Sequence, residues 1–156
     1  MKMNSNFRRL RTSASSLMMV CGLLLAAPSI WAQPDDDGIC SNKTLRGDYG
    51  FTIEGVALAG PFAGPWRGVA LTHFDGKGSL TQVDHVVMNG VSPAVDWRPA
   101  TGTYVVNPNC TGSAQILLQS GPTVNLRFVV VNNGREIRTV VTGAAAASTS
   151  NGVRVD

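Results

Sequence analysis

The sequence predicts an all-β protein, a single antiparallel barrel of about eight strands, with a β-sandwich as the alternative. Three observations lead there. From Leu45 onward, short runs rich in Val, Thr and aromatic residues recur, several alternating apolar and polar side chains. Gly, Pro, Asn and Asp separate these runs, and the 17 glycines and eight prolines are many for a helical protein. Of the 156 residues, 44% are hydrophobic and only 15% charged, a balance that buries a core and excludes a largely disordered chain. At this length the chain makes one ordinary domain.

A leader precedes the domain. Residues 1–32 read as a secretory signal peptide: a basic start, an apolar run Leu17–Ala27 too short for an ordinary transmembrane helix, and a break at Pro28. The small residue Ala32 then places the expected cleavage between Ala32 and Gln33. The alternative is an uncleaved membrane anchor. Arg8-Arg9 hints at a twin-arginine signal and Cys21 at a lipoprotein, but the flanking residues fit neither well. The leader also explains the net charge of +3. It holds four of the 13 basic residues, leaving nine against ten acidic ones beyond it. No basic surface remains to argue for nucleic acid.

Export, to a periplasmic or extracellular location, changes the meaning of the cysteines. Cys21 leaves with the leader, and the remaining pair, Cys40 and Cys110, favours a disulfide in an oxidising compartment. Such a bridge closes a loop of about seventy residues and contributes about 4 kcal/mol in the chain-entropy model. The alternative is two separate buried thiols. No second Cys or His lies at zinc-ligand spacing from either.

Residues 33–44 read as an acidic N-terminal tether and 45–156 as the barrel domain. Leu45–Glu54 alternates, with Leu45, Gly47, Tyr49, Phe51 and Ile53 on one face and Arg46, Asp48, Thr52 and Glu54 on the other. Trp66–Asp75 and Leu80–Met88 flank Asp75-Gly76-Lys77-Gly78, a hairpin turn because glycine accepts positive φ. Thr101–Asn107 ends at Pro108, and Ser113–Gln119 ends at Ser120-Gly121-Pro122. Thr123–Val131 places Val124, Leu126, Phe128 and Val130 on one face, and Asn132-Asn133-Gly134 turns it into Arg135–Thr142. Asn151–Val155 is a short closing strand. Gly143–Ser150 reads as a short helix or a loop. Gly55–Gly68 reads as a loop over one barrel mouth or a broken strand, and Val91–Ala100 as an irregular stretch.

Short connections favour antiparallel neighbours. Closing about eight strands into a barrel removes the exposed edges and leaves room for side chains or one small ligand.

The chemistry-bearing residues are few. If Asp75 pairs with Ser79, His85 sits opposite Val69, with His73 four residues away, about 13 Å along the strand. That is too far for a shared metal, so no metal site is expected. There is no Gly-x-Ser-x-Gly elbow, no phosphate-cradling loop and no Ca²⁺-loop spacing. No cofactor is expected. The acids Asp48, Glu54, Asp84 and Glu136 are expected to be solvent-exposed, as charges usually are. Arg127 lies between Leu126 and Phe128; on an inward face it would meet an anionic ligand, and on an outward face it is surface. The aromatics Phe62, Trp66 and Trp97 lie in the irregular apolar stretches and are candidate ligand or mouth residues. Asn42-Lys43-Thr44 and Asn109-Cys110-Thr111 match the glycosylation pattern, which matters only in a eukaryotic secretory pathway.

Several motifs together resemble a known group. Gly47-Asp48-Tyr49-Gly50-Phe51, Phe74-Asp75-Gly76-Lys77-Gly78, Gly102-Thr103-Tyr104-Val105-Val106-Asn107 with Cys110-Thr111-Gly112, and Gly134-Arg135-Glu136-Ile137 look like those of small exported bacterial β-barrel proteins of unknown function. The resemblance covers residues 40–142. Its layout is distantly similar to the eight-stranded barrels of allene oxide cyclases and dirigent proteins, or of lipocalins. It implies a bacterial source and therefore puts glycosylation out of play. It carries no catalytic residue onto this chain, because likeness of fold does not license a reaction.

Two function classes stay open. One is a non-catalytic barrel binding a small apolar ligand or a protein partner. The other is a cyclase- or isomerase-type enzyme acting on a small apolar substrate. The interior separates them. A sealed core excludes both, a cavity with a buried acid or arginine favours the enzyme, and a dry uncharged cavity favours the carrier.

Overall fold

A computed structural model of the protein describes residues 40–60, 63–119 and 121–155. The expected signal peptide and its Ala32–Gln33 cleavage point lie outside the described residues, as does Phe62. The described chain is all-β. Its strands are β1 (Arg46–Ala57), β2 (Gly64–Asp75), β3 (Ser79–Met88), β4 (Arg98–Val106), β5 (Thr111–Leu118), β6 (Thr123–Val131), β7 (Glu136–Val141) and β8 (Ala146–Arg154). Each pairs antiparallel with the next, and β8 returns to β1, so the sheet closes as an up-and-down barrel.

The turns form where the sequence places them. Asp75 Oδ1 accepts the backbone N–H groups of Lys77, Gly78 and Ser79 at 2.7, 2.9 and 3.0 Å, tying the β2–β3 turn together. Asn132, Asn133 and Gly134 all take positive φ (52°, 52° and 81°), the left-handed geometry that Asn and Gly tolerate best. In β6 the inward side chains are Val124, Leu126, Phe128 and Val130, with Phe128 and Val130 buried.

Two expectations need correction. Gly143–Ser150 is neither helix nor loop throughout: a turn at Gly143 leads directly into β8, whose strand begins at Ala146. Its inward positions Ala146, Ser148, Ser150 and Gly152 are all small, so no apolar alternation marks it as a strand. Likewise, of the two readings of Gly55–Gly68, the loop gives way to the broken strand: β1 runs through Ala57 and β2 starts at Gly64, paired down to Ala57↔Gly64.

The glycines within the strands do structural work that turn chemistry does not cover. Several interior register pairs set a glycine opposite a large side chain, among them Gly55↔Trp66, Gly68↔Val86, Gly102↔Leu80, Gly112↔Phe128 and Gly152↔Phe51. A Cβ on Gly112 would lie 2.2 Å from Phe128 Cζ, and one on Gly152 would lie 2.4 Å from Phe51 Cε1. The rings therefore sit against bare backbone, which lets large side chains fit inside a narrow barrel.

The two ends of the barrel differ. At the end with short turns, Tyr49, Phe74 and Tyr104 stack edge to face, with centroids 5.3 and 5.0 Å apart. Residues 40–44 cross this end: Asn42 Oδ1 accepts the Val106 N–H at 2.8 Å, and the Tyr104 hydroxyl donates to Leu45 O at 2.9 Å. The Cys40–Cys110 disulfide fastens the crossing, with Cα atoms 5.0 Å apart. The other end carries the connections after β1, β3, β5 and β7, of which those after β1 and β3 are the longest of the barrel. There β3 pairs with β4 only from Ser79 to Asp84, and the segment after Met88 runs alongside the rest of β3, with His85 Nδ1 2.6 Å from Asp96 O.

Candidate functional site

The lumen is hollow between the aromatic floor and the loop end. It encloses a cavity of about 380 Å³, near the lower end of ordinary small-molecule sites. Its floor is Leu45, Phe51, Phe74 and Leu80, and its mouth is reached by Ala59, Trp66, Met88, Pro122 and Ala145. Apolar side chains dominate because inward positions on β1, β5 and β6 are aliphatic or aromatic.

One wall is different. On β2, β3 and β4 the inward side chains Thr72, Gln82, Asp84 and Arg98 form a hydrogen-bonded chain. The Thr72 hydroxyl donates to Gln82 Oε1 at 2.9 Å, and Gln82 Nε2 donates to Asp84 Oδ2 at 3.5 Å. Arg98 Nε donates to Asp84 Oδ1 at 2.8 Å. Asp84 is 4% exposed, and the Arg98 side chain 23%. Among the described residues lining the cavity, these two are the only ionisable side chains. A second polar pair, Thr139 and Ser150 at 2.6 Å, lies on the β7–β8 wall.

Asp84 overturns the expectation that all four strand acids face solvent. Asp48 is exposed beside His73 Nδ1 at 2.8 Å, and Glu54 is exposed near Arg67. Glu136 is only partly exposed, beside Arg138. Asp84 alone turns inward, because β3 sends Leu80, Gln82, Asp84, Val86 and Met88 to the lumen. The strand has valines on both faces, Val83 and Val87 outward and Val86 inward, so alternation does not reveal which face is buried.

The predicted site residues separate. Trp66 lines the mouth with its ring over Gly55, and its Nε1 is buried without a hydrogen-bond partner among the described residues. Trp97 is 49% exposed on the loop before β4, its ring centroid 6.1 Å from that of His85. Arg127 faces outward, with Nη1 donating to Leu126 O at 3.3 Å, and lies in an outer groove with Arg138 rather than in the lumen. His85 sits opposite Val69, and His73 opposite Thr81. No group of three or more His, Cys, Asp or Glu side chains among the described residues could hold a metal. No helix among them is long and apolar enough to cross a membrane.

At the floor, burial pushes the Tyr49 phenol above its usual range, outweighing the attraction of Arg154. Burial raises the Tyr104 phenol in the same way.

No protein-family model, no curated protein and no solved structure matches this chain. The fold and the lumen therefore define its class: a small eight-stranded antiparallel β-barrel with one disulfide and an internal cavity.

Proposed function

We propose that the protein is an exported, non-catalytic barrel that binds a small, mainly apolar ligand in its lumen, and that it belongs with the small exported bacterial barrels its motifs resemble. The observation that carries this reading is the cavity of about 380 Å³, lined mostly by apolar side chains and reaching the loop end. The disulfide is compatible with an oxidising compartment, and the leader at residues 1–32 supports export through a cleaved signal peptide.

The enzyme reading has one specific observation in its favour, a buried acid and an arginine inside the cavity. They form a single ion pair, however. The Asp84 carboxylate already accepts from Arg98 and Gln82, and a general base needs a free, proton-accepting group within reach of substrate. Binding is therefore the better supported of the two.

Native mass spectrometry of the protein recovered from an exporting host tests the proposal. The expected result is a co-purified small molecule, together with saturable calorimetric binding of an apolar probe such as butylbenzene. A protein without any adduct, and without saturable heat from that probe, would overturn it. Turnover of a bound ligand would favour the isomerase-type reading instead.

A further inference from the structure

The polar wall has a direction. Thr72 donates to Gln82, Gln82 to Asp84, and Arg98 Nε to Asp84. Each carboxylate oxygen of Asp84 thus accepts one hydrogen bond from within the wall. What remains is donor capacity: Nη1 and Nη2 of Arg98 have no partner among the described residues, and Arg98 lines the cavity. A guanidinium carries five N–H donors in a fixed plane, and Asp84 holds this one by its Nε.

Charge then selects the kind of acceptor. Asp84 and Arg98 cancel, and no other ionisable side chain among the described residues lines the lumen. A carboxylate ligand would bring a second negative charge into a low-dielectric site beside Asp84, with no positive charge left to offset it. A neutral carbonyl oxygen accepts from the Nη groups without that cost, and a hydrogen bond to a charged donor is stronger than a neutral one.

We infer that the lumen, on the binding reading above, is a site for a neutral, largely apolar molecule carrying a carbonyl oxygen, a ketone or ester, which the Arg98 Nη groups recognise. Its apolar body lies along the Phe51, Ile116 and Leu126 side of the cavity. Asp84 and Gln82 act as positioning residues that fix the guanidinium plane.

Calorimetric titration of the purified protein with 2-decanone, decanoate and butylbenzene tests this. The ketone is expected to bind roughly tenfold or more tightly than either decanoate or the hydrocarbon, the range of one hydrogen bond to a charged group. Asp84→Leu/Arg98→Met replaces the pair by apolar side chains without stranding a charge, and a thermal melt shows whether it folds. In that variant the ketone-to-hydrocarbon affinity ratio is expected to fall to about one. A wild-type ratio already near one, or a ratio the double variant does not change, overturns the inference while leaving lumen binding standing. Tighter binding of decanoate than of the ketone overturns the choice of a neutral ligand. Binding of none of the three defeats the lumen reading itself, and the inference with it. If the double variant fails to fold, Asp84→Asn/Arg98→Gln, uncharged and polar, replaces it, and the same loss of ketone preference is required.

Discussion

Asp84 and Arg98 are the last register pair of the β3–β4 ladder, and their side chains meet inside the barrel, with Oδ1 2.8 Å from Nε. Removing one member leaves the other without its partner in a weakly solvated wall. Asp84→Ala is expected to cost about 3 kcal/mol, the lower end for a buried pair because Arg98 keeps some exposure. Asp84→Leu/Arg98→Met is expected to recover most of that loss. Urea midpoints of the single and double variants check it. Equal losses in both would show that the two side chains do not depend on each other.

The Cys40–Cys110 bridge spans 70 residues and joins the crossing segment to the β4–β5 turn. Constraining so long a loop in the unfolded chain contributes about 4 kcal/mol. Cys40→Ser/Cys110→Ser is therefore expected to unfold at markedly lower denaturant, with free-thiol titration of the native wild type finding neither of these two groups. An unchanged midpoint on reduction would contradict this.

Strand order and the β6 face were legible because β6 alternates cleanly and because Asp75–Gly78 and Asn132–Gly134 are strong turn sequences. The polar wall was not legible. Asp84 lies in a strand with valines on both faces, so nothing local says which side is buried; that is decided by pairing with β2 and β4. The start of strand β8, before the closing strand expected from Asn151, escaped for the complementary reason. Its inward residues are small, and at Gly152 Phe51 fills the space above the bare backbone, a partner some hundred residues away in sequence. Trp66 was singled out for its aromatic body, and its ring lies over Gly55 beside the cavity. Arg127 and Trp97 carry similar signals in sequence yet lie on the outside.

The floor tyrosines give the fold an alkaline limit. Tyr49 donates to Gly134 O and Tyr104 to Leu45 O, and burial raises both phenols above the usual value near 10. The folded chain then holds protons that the unfolded chain releases. Their contribution is fully present below about pH 10 and is lost as pH climbs through the raised folded values. Stability is expected to fall above pH 10 with a slope of at most about 1.4 kcal/mol per pH unit for each tyrosine. Tyr49→Phe is expected to flatten that slope while lowering stability at neutral pH by the lost hydrogen bond, about 1 kcal/mol. Urea unfolding at pH 8, 10 and 11 measures both. An identical slope in the variant would exclude Tyr49 as a source.

Phe128 and Gly112 offer the most direct test of how the interior is packed. Phe128 is 7% exposed, and its ring covers the bare backbone of Gly112, its register partner. Phe128→Ala removes that ring from the core and is expected to cost about 3–5 kcal/mol. Asn125, on the outward face of the same strand, is exposed, so Asn125→Ala is expected to cost little. Gly112→Ala adds a single methyl where Phe128 Cζ stands 2.2 Å away, and the Val105 carbonyl oxygen 2.5 Å away. The ring can swing but the strand backbone cannot, so about 1–3 kcal/mol is expected from overpacking. The two substitutions share one cause and are not additive. In Gly112→Ala/Phe128→Leu the smaller side chain makes room for the methyl, so the double variant is expected to lose less than the sum of the single losses. Strict additivity would mean that the ring does not rest on Gly112, and that the glycine is needed for its backbone alone.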